Sequence, residues 1–398
     1  MADAMAATRP APGPRTLLVI SAQPDPALPD QIARGAQPRR DYFELQHALG
    51  ADLLLPADVA ADGTARLVAR AAGLRVALAW LAFRRRRAYD AIYTDGEGVG
   101  LPLAALLLAA RPGAPRHTML THYLSPAKKR LWFRLGNVGV ARRLDAVICH
   151  SAAQHELLTT ALGLPRERAL LLPYFADERF WRAEAVPAAA APAADEEPVV
   201  CAVGLEFRDY DTLAAAAPRV PARVEIAAAS HWSKHSAFQR TPELPANLHV
   251  AGYAYPALRE LYARSRVVVV PLRPVDNQAG ITVILEAMAM GKPVIATGTL
   301  GQTDVLRDRR NGGRGRMPRQ WWPGFVDAPD LDPTLAHLPT GFYVAPDDPR
   351  ELAAAITYLL QHPDVADELG RNGRRVFDAC FTLDAFTARF AAVIRGEA

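Results

Sequence analysis

Residues 267 to 306, VVVVPLRPVDNQAGITVILEAMAMGKPVIATGTLGQTDVL, set one carboxylate, Glu286, in an apolar helix between two strand-like runs. Ile281, Val283, Ile284, Leu285, Ala287, Met288, Ala289 and Met290 would cover every side of that helix, which predicts that protein encloses it. A desolvated carboxylate without a partner is costly. Glu286 therefore calls for an arginine, a cluster of backbone amides, or ligand hydroxyls such as a diol.

The Val-rich run from Arg266 to Leu272 and the run from Pro293 to Thr297 flank the helix, so the segment reads as a right-handed βαβ unit. Ligands of such sheets sit beyond the carboxyl ends of the strands, where Asp276, Asn277, Gln278, Ala279 and Gly280 fall. Free amides near Gly280 and the positive end of the helix dipole favour phosphate or sugar oxygens. A side chain at Gly280 would obstruct close approach. Together these features predict a phosphorylated ligand carrying a ribose.

The same alternation runs through the chain. TLLVISA, AIYTD, HTMLTH, DAVICH and ALLLPY upstream, and VVCAVG, VEIAAA, LHVAGY, RVVVVP and PVIAT downstream, read as strands separated by helix-like segments. At 398 residues the chain suits two domains, and VPAAAAPAADEEP, residues 186 to 198, reads as a linker. The expected division is a disordered start at 1–14, an N-terminal Rossmann-like domain at 15–182, a linker at 183–198, and a C-terminal Rossmann-like domain at 199–380. The run from Pro349 to Ile394 is helical with expected breaks at Pro363 and Gly373.

The segment 267 to 306 resembles the donor-binding signature of retaining GT-B glycosyltransferases, family four or group 1, in which two Glu residues with seven between precede Ala-Met-Ala-x-Gly-x-Pro-Val-Ile. Glu286 matches the second Glu, which in that family holds the ribose of a nucleotide sugar. Gln278 stands at the first. Gln can bond sugar hydroxyls but carries no charge for a developing oxocarbenium ion. The segment AVGLEFRDYDTLAAAA, residues 202 to 217, resembles the family's strand, turn and helix that bring two basic residues to the donor diphosphate. Arg208 occupies the second basic position, while Leu205, after Gly204, replaces the first. An alternative for Arg208 is a surface ion pair with Asp209 or Asp211.

Residues 145 to 180 resemble the unit that closes the family's N-terminal domain, with Asp177 and Phe180 at its exit, and these are expected to be structural. His122 ends a strand, where the resemblance implies contact with the donor sugar; a structural role is the alternative. Asp95 and Glu97 are spaced like the metal-binding Asp-x-Asp of GT-A enzymes. A loop role is favoured for them, then acceptor contact, then metal. Residues 309 to 339 form an insertion in which Trp321, Trp322 and Phe325 either stack on an acceptor sugar or anchor the loop. The resemblance also implies that the last helix, within 381–398, crosses back onto the N-terminal domain.

The function so implied is retaining transfer of a sugar from a nucleotide-diphosphate sugar to a glycan or lipid-linked acceptor, with envelope polysaccharide or glycolipid assembly the commonest setting. Glu286 would hold the ribose, Arg208 the diphosphate, Gln278 and the amides of Ala279, Gly280 and Ile281 the sugar, and His122 its opposite edge. No metal or other cofactor is expected, and no nucleic-acid partner. The alternative is a lapsed GT-B domain that binds nucleotide sugar or glycan without turnover. A same-fold epimerase or phosphorylase fits the signature less well.

Cys149, Cys201 and Cys380 are scattered, which indicates neither a disulfide framework nor a zinc site and fits a reducing cytoplasm. The Pro-rich first residues lack the apolar core of a signal peptide, and no apolar run approaches the roughly 20 residues that span a bilayer. Net charge is +4, with Arg84 to Arg87 after Trp80 and Phe83, and Lys128, Lys129, Arg130 and Arg134 around Trp132 and Phe133. Basic residues beside aromatics suit an anionic membrane surface. In the alternative, Leu67, Ala71, Leu74, Leu78 and Leu81 form a stripe packed on the sheet, with the arginines as a solvated end.

Overall fold

The computed structural model describes residues 14–108, 110, 113–122, 124, 141–187, 196–228, 243–302, 305–309, 335 and 338–397. Strands β1 (Thr16–Val19), β2 (Asp52–Leu54), β3 (Ala91–Thr94), β4 (Arg116–Leu120), β5 (Ala146–Cys149) and β6 (Ala169–Leu171) form one sheet in the order β2-β1-β3-β4-β5-β6. Strands β7 (Val199–Val203), β8 (Arg223–Ala227), β9 (Leu248–Ala251), β10 (Ser265–Val270), β11 (Val294–Thr297) and β12 (Gly341–Val344) form the other, in the order β12-β11-β10-β7-β8-β9. Every pairing is parallel. This is the two-sheet α/β architecture that the apolar runs predict. The edge strands β2 and β12 were not anticipated, because β2 has three residues with an exposed Asp52 and β12 opens on a glycine.

Alternation builds the cores. Leu17 and Val19 enter one cluster and Leu18 and Ile20 the opposite one, as the period of two in a strand buried on both faces requires. In the second sheet Cys201, Val268 and Val270 pack on the face that carries the helix Ile281–Ala289, while Val200, Val267 and Val269 face the helices Tyr210–Ala216 and Pro349–Gln361. Each sheet reverses its winding near the middle, between β1 and β3 and between β7 and β10. The carboxyl ends of the two sheets line one cleft of about 1040 Å³.

The helical C-terminal run breaks at His362 and at Phe381–Thr382 rather than at Gly373. Gly373 lies inside the helix Pro363–Cys380, where a Cβ would make an ordinary contact with Met288 Cγ at 3.4 Å. The next helix, Leu383–Arg395, buries Leu383, Phe386, Phe390 and Ile394 against the N-terminal sheet, and Phe390 meets Tyr93 edge-on at 5.1 Å. Burying side chains of that size contributes about 1.5–3 kcal/mol each. The two crossings between domains run side by side: Ala176 N donates to Phe381 O (3.0 Å) and Leu383 N to Ala176 O (3.1 Å). Arg39 ties both to the N-terminal domain through Asp177 (2.8 Å), Glu178 (2.9 Å) and Asp384 (2.6 Å). A short 3-10 turn, Ala183–Ala185, opens the linker; its residues 188–195 lie outside the described residues, as do residues 1–13.

The leucine stripe is divided. Gly73, at φ 91°, separates the helix Gly63–Ala72 from Leu74–Arg85, so Leu78 and Leu81 are buried while Leu67 and Leu74 are exposed. Arg84 stacks on Trp80 at 4.8 Å and pairs with Asp62, and Arg85 pairs with Asp58. Lys128 to Arg134 lie outside the described residues. No described helix is long and apolar enough to cross a membrane.

Candidate functional site

At the carboxyl end of β7 the chain turns sharply through Gly204 (φ 95°) and Phe207 (φ 56°), which returns Arg208 beneath the end of the sheet. Phe207 is strained for a residue with a side chain. Arg208 is buried, and its Nε donates to Val203 O (2.8 Å) and its Nη1 to Glu206 O (2.9 Å). Burial draws its pKa below the usual guanidinium value, opposed by Tyr210, Tyr262 and Glu286. Among the described residues it makes no ion pair. Asp209 instead caps the helix Tyr210–Ala216 through Thr212, and Asp211 faces Arg273 at 3.5 Å, which removes the surface-pair alternative. Two glycines make room for the guanidinium: a Cβ at Gly204 would meet Nη2 at 2.6 Å, and one at Gly280 would meet Nη1 at 3.3 Å.

Gly280 has φ 85° and a Cβ there would also meet Val270 at 2.7 Å, so packing and backbone shape already demand glycine before any ligand is considered. The helix Ile281–Ala289 that follows is not enclosed on every side. Thr282 is exposed and Glu286, one turn later, is half-buried; both line the cleft. The Glu286 carboxylate accepts from the Tyr262 hydroxyl at 2.8 Å. Burial pushes its pKa up to about 7, against the opposing pull of that hydroxyl and of Arg40 and Arg208. Tyr262 is a partner that sequence alone did not suggest, since it sits 24 residues upstream on the helix Tyr255–Arg264.

The opposite wall comes from the N-terminal domain. His122 follows β4, exposed to the cleft, with Nε2 at 3.0 Å from Asp95 O. His150 follows β5 and is buried, which pushes its pKa down to about 4, and its Nδ1 contacts Leu172 O at 2.9 Å. The Gln278 amide crosses the cleft and donates to His150 O at 2.8 Å. The position expected to meet a sugar is thus tied to the other domain.

The cleft thus brings together Gly204, Arg208, Gln278, Ala279, Gly280, Ile281, Glu286 and His122. Asp95 and Glu97 do not join them. Asp95 accepts from Ser21 N (2.6 Å) and Ser21 Oγ (2.8 Å), which joins the ends of β1 and β3, and buried Glu97 accepts from His122 N (3.2 Å). Among the described residues no three His, Cys, Asp or Glu side chains converge as metal ligands would. Trp321, Trp322 and Phe325, with nearly all of 309–339, lie outside the described residues. Thr121, Gln154 and His150 also line the cleft. The sequence placed His150 at a strand end as a structural residue and gave Thr121 and Gln154 no role, because a polar residue in an apolar run does not show which way it points.

Residues 197–320 match the family model described as Glycosyl transferases group 1. No curated protein sequence matches the chain. Among solved structures, sucrose-phosphate synthase from Thermosynechococcus elongatus is similar at a TM-score of 0.65 and 19% identity, over 96% of this chain and 99% of that one. A glycosyltransferase from Rickettsia africae is similar at 0.63 and 13%, over 96% and 98%. Anabaena HepE, solved with UDP and glucose, is similar at 0.62 and 16%, over 96% and 99%. The shared fold is GT-B: two Rossmann-like domains on either side of a cleft.

Proposed function

We propose that this GT-B chain, whose residues 197–320 carry the group 1 glycosyltransferase model, transfers a sugar with retention from a nucleotide-diphosphate sugar to a glycan or lipid-linked acceptor. The observation that carries this reading is the placement, on one cleft floor, of a half-buried Glu286 that accepts from a tyrosine hydroxyl and a buried Arg208 whose guanidinium donates to the carbonyls of Val203 and Glu206 and makes no ion pair among the described residues. A carboxylate so placed accepts two ribose hydroxyls; a guanidinium so placed meets a diphosphate. HepE, a structural neighbour, has been solved with UDP-glucose, which supports a nucleotide sugar as the ligand.

In this reading the leaving diphosphate gains charge as the glycosidic bond breaks, and Arg208, fixed by two backbone carbonyls, stabilises that charge without reorganising. The attack is front-face, with the leaving phosphate taking the acceptor's proton. The Gly280 amide and His122 hold the sugar, and the Ala279 and Ile281 amides join them on giving up Asn277 Oδ1 and Gln278 O, to which they respectively donate at 3.2 Å. Gln278 must leave His150 O before it can join them. No metal is assigned a role. The anionic inner face of a membrane is carried as a second partner, with Leu67 and Leu74 exposed beside Arg66 and Arg70. Sedimentation with anionic liposomes at low salt tests it.

A second reading, binding without turnover, is favoured by Leu205, which packs against the apolar core where the family places a cation. Isothermal titration of UDP, GDP and ADP and their common sugars on the wild type and Glu286→Ala tests the donor site. Selective binding lost in the variant supports it, and no binding to any of them overturns it. Slow sugar release abolished by Arg208→Ala would reject the lapsed reading.

A further inference from the structure

We propose that Arg40, on the N-terminal side of the cleft, is a second cation for the donor diphosphate and turns onto it from across the cleft when the nucleotide binds. The inference deepens the sugar-transfer reading and rests on it. Two adjacent arginines precede the helix Asp41–Leu49, and they are used differently. Arg39 is consumed: its guanidinium meets Asp177, Glu178 and Asp384, and its amide donates to Asp177 Oδ2 at 2.7 Å. That anchors the main chain beside the crossings between domains. Arg40 is half-buried, and among the described residues it makes no ion pair, not even with Asp41 beside it. Its Nη2 donates to Gln37 Oε1 at 3.3 Å, and its Cζ lies 5.6 Å from the centre of the Tyr255 ring, which belongs to the other domain. Gln37 and Tyr255 both line the cleft.

Charge balance calls for such a group. Among the residues that line the cleft, the acidic and basic side chains are Glu206, Glu286 and Arg208, so carboxylates outnumber the guanidinium. Leu205, in the same turn as Arg208, packs on the apolar core and adds no charge. A nucleoside diphosphate would bring further negative charge into that surplus, and anions in a partly desolvated cleft need opposite charge close by. Arg40 is placed for the ribose end of the ligand. Burial raises the pKa of Glu286, and Arg40 opposes that rise more strongly than Arg208 does, so its charge acts on the carboxylate assigned to the ribose. A ring face at 5.6 Å holds a guanidinium loosely, whereas a phosphate offers it charge-assisted hydrogen bonds in exchange. The anchored Arg39 keeps the main chain fixed while the Arg40 side chain turns.

Titrate UDP, GDP and ADP, and the matching nucleosides, against wild type, Arg40→Met and Arg40→Lys at low and at physiological salt, with thermal melts to show that each variant is folded. Arg40→Met should weaken whichever diphosphate binds the wild type by about tenfold, leave its nucleoside within about twofold, and flatten the salt dependence of the diphosphate affinity. Arg40→Lys, which keeps a charge, should bind the diphosphate within about threefold of wild type. The inference is overturned if folded Arg40→Met binds the diphosphate as wild type does, or if diphosphate and nucleoside weaken alike, which is what loss of the Tyr255 contact alone would produce. Arg40→Lys as weak as Arg40→Met also overturns it. If no diphosphate binds the wild type, the sugar-transfer reading has failed and takes the inference with it. If Glu286→Ala abolishes binding and Arg40→Met leaves it unchanged, the inference alone fails.

Discussion

The side-chain amide of Gln278 donates to the main-chain carbonyl of His150 at 2.8 Å, a bond from one domain to the other. An ionised glutamate has no hydrogen to give, so it would set two oxygens face to face there. Gln278→Glu should loosen the closed cleft, enlarge the radius of gyration in X-ray scattering, and raise the donor KM by about threefold to tenfold. An unchanged scattering profile with unchanged kinetics would show that the bond does nothing for closure.

Arg208 spends two of its nitrogens on the carbonyls of Val203 and Glu206. Arg208→Lys keeps a charge but cannot reach both carbonyls in the same geometry. Both Arg208→Lys and Arg208→Ala are expected to lower kcat/KM by about a hundredfold or more. Each also strands buried carbonyls, at about 1–3 kcal/mol. Steady-state kinetics beside thermal melts separate the two effects, and a Lys variant with wild-type rate would remove Arg208 from the chemistry.

Burial raises the pKa of Glu286 to about 7, above its ordinary carboxylate value. A ribose that donates to the carboxylate prefers the ionised form, so nucleotide binding should release a proton. Affinity should therefore strengthen as pH rises from about 6 to 8. Stability takes the opposite sign. The folded state holds this proton longer than the unfolded chain, so its contribution is complete below the ordinary carboxylate pKa and is lost as pH rises through about 7. Glu286→Gln should melt higher than wild type above about pH 7 while losing nucleotide binding and its pH dependence. Calorimetry in buffers of different ionisation enthalpy reads the proton, and a pH-independent affinity would rule out the carboxylate as the ribose contact.

Two glycines of the C-terminal domain should respond to alanine to different degrees. At Gly280 a Cβ would combine φ 85° with a 2.7 Å approach to Val270, and Gly280→Ala should cost about 1–3 kcal/mol. At Gly373 the helix has ordinary dihedral angles and the nearest atom, Met288 Cγ at 3.4 Å, ends no rigid group, so Gly373→Ala should stay within about 1 kcal/mol of wild type. Denaturant melts of both variants check the contrast. A Gly373→Ala loss as large as that at Gly280 would refute it.

The parallel sheets were legible because a strand buried on both faces is a run of Val, Leu and Ile, as at Val267–Val270. The loop from Asp276 to Gly280 was legible for the same reason, once the strand and helix beside it were placed. Short edges such as Asp52–Leu54 carry too few residues to show a pattern. Nor does the apolar content of Ile281–Ala289 show that Thr282 and Glu286 share the one face left open. The partners of site groups were hidden more deeply. Tyr262 reaches Glu286 and Gln278 reaches His150 only through tertiary packing, over 24 and 128 residues of separation.

The helix Leu383–Arg395 completes the core of the N-terminal sheet, although every strand of the other domain precedes it in the chain. A ribosome therefore finishes the second domain before it delivers the last piece of the first. Until that helix emerges, Tyr93, Leu18 and Ile148 face water where Phe390 and its neighbours will cover them. The half made first is the half that must wait, with apolar surface open to aggregation until its last helix arrives.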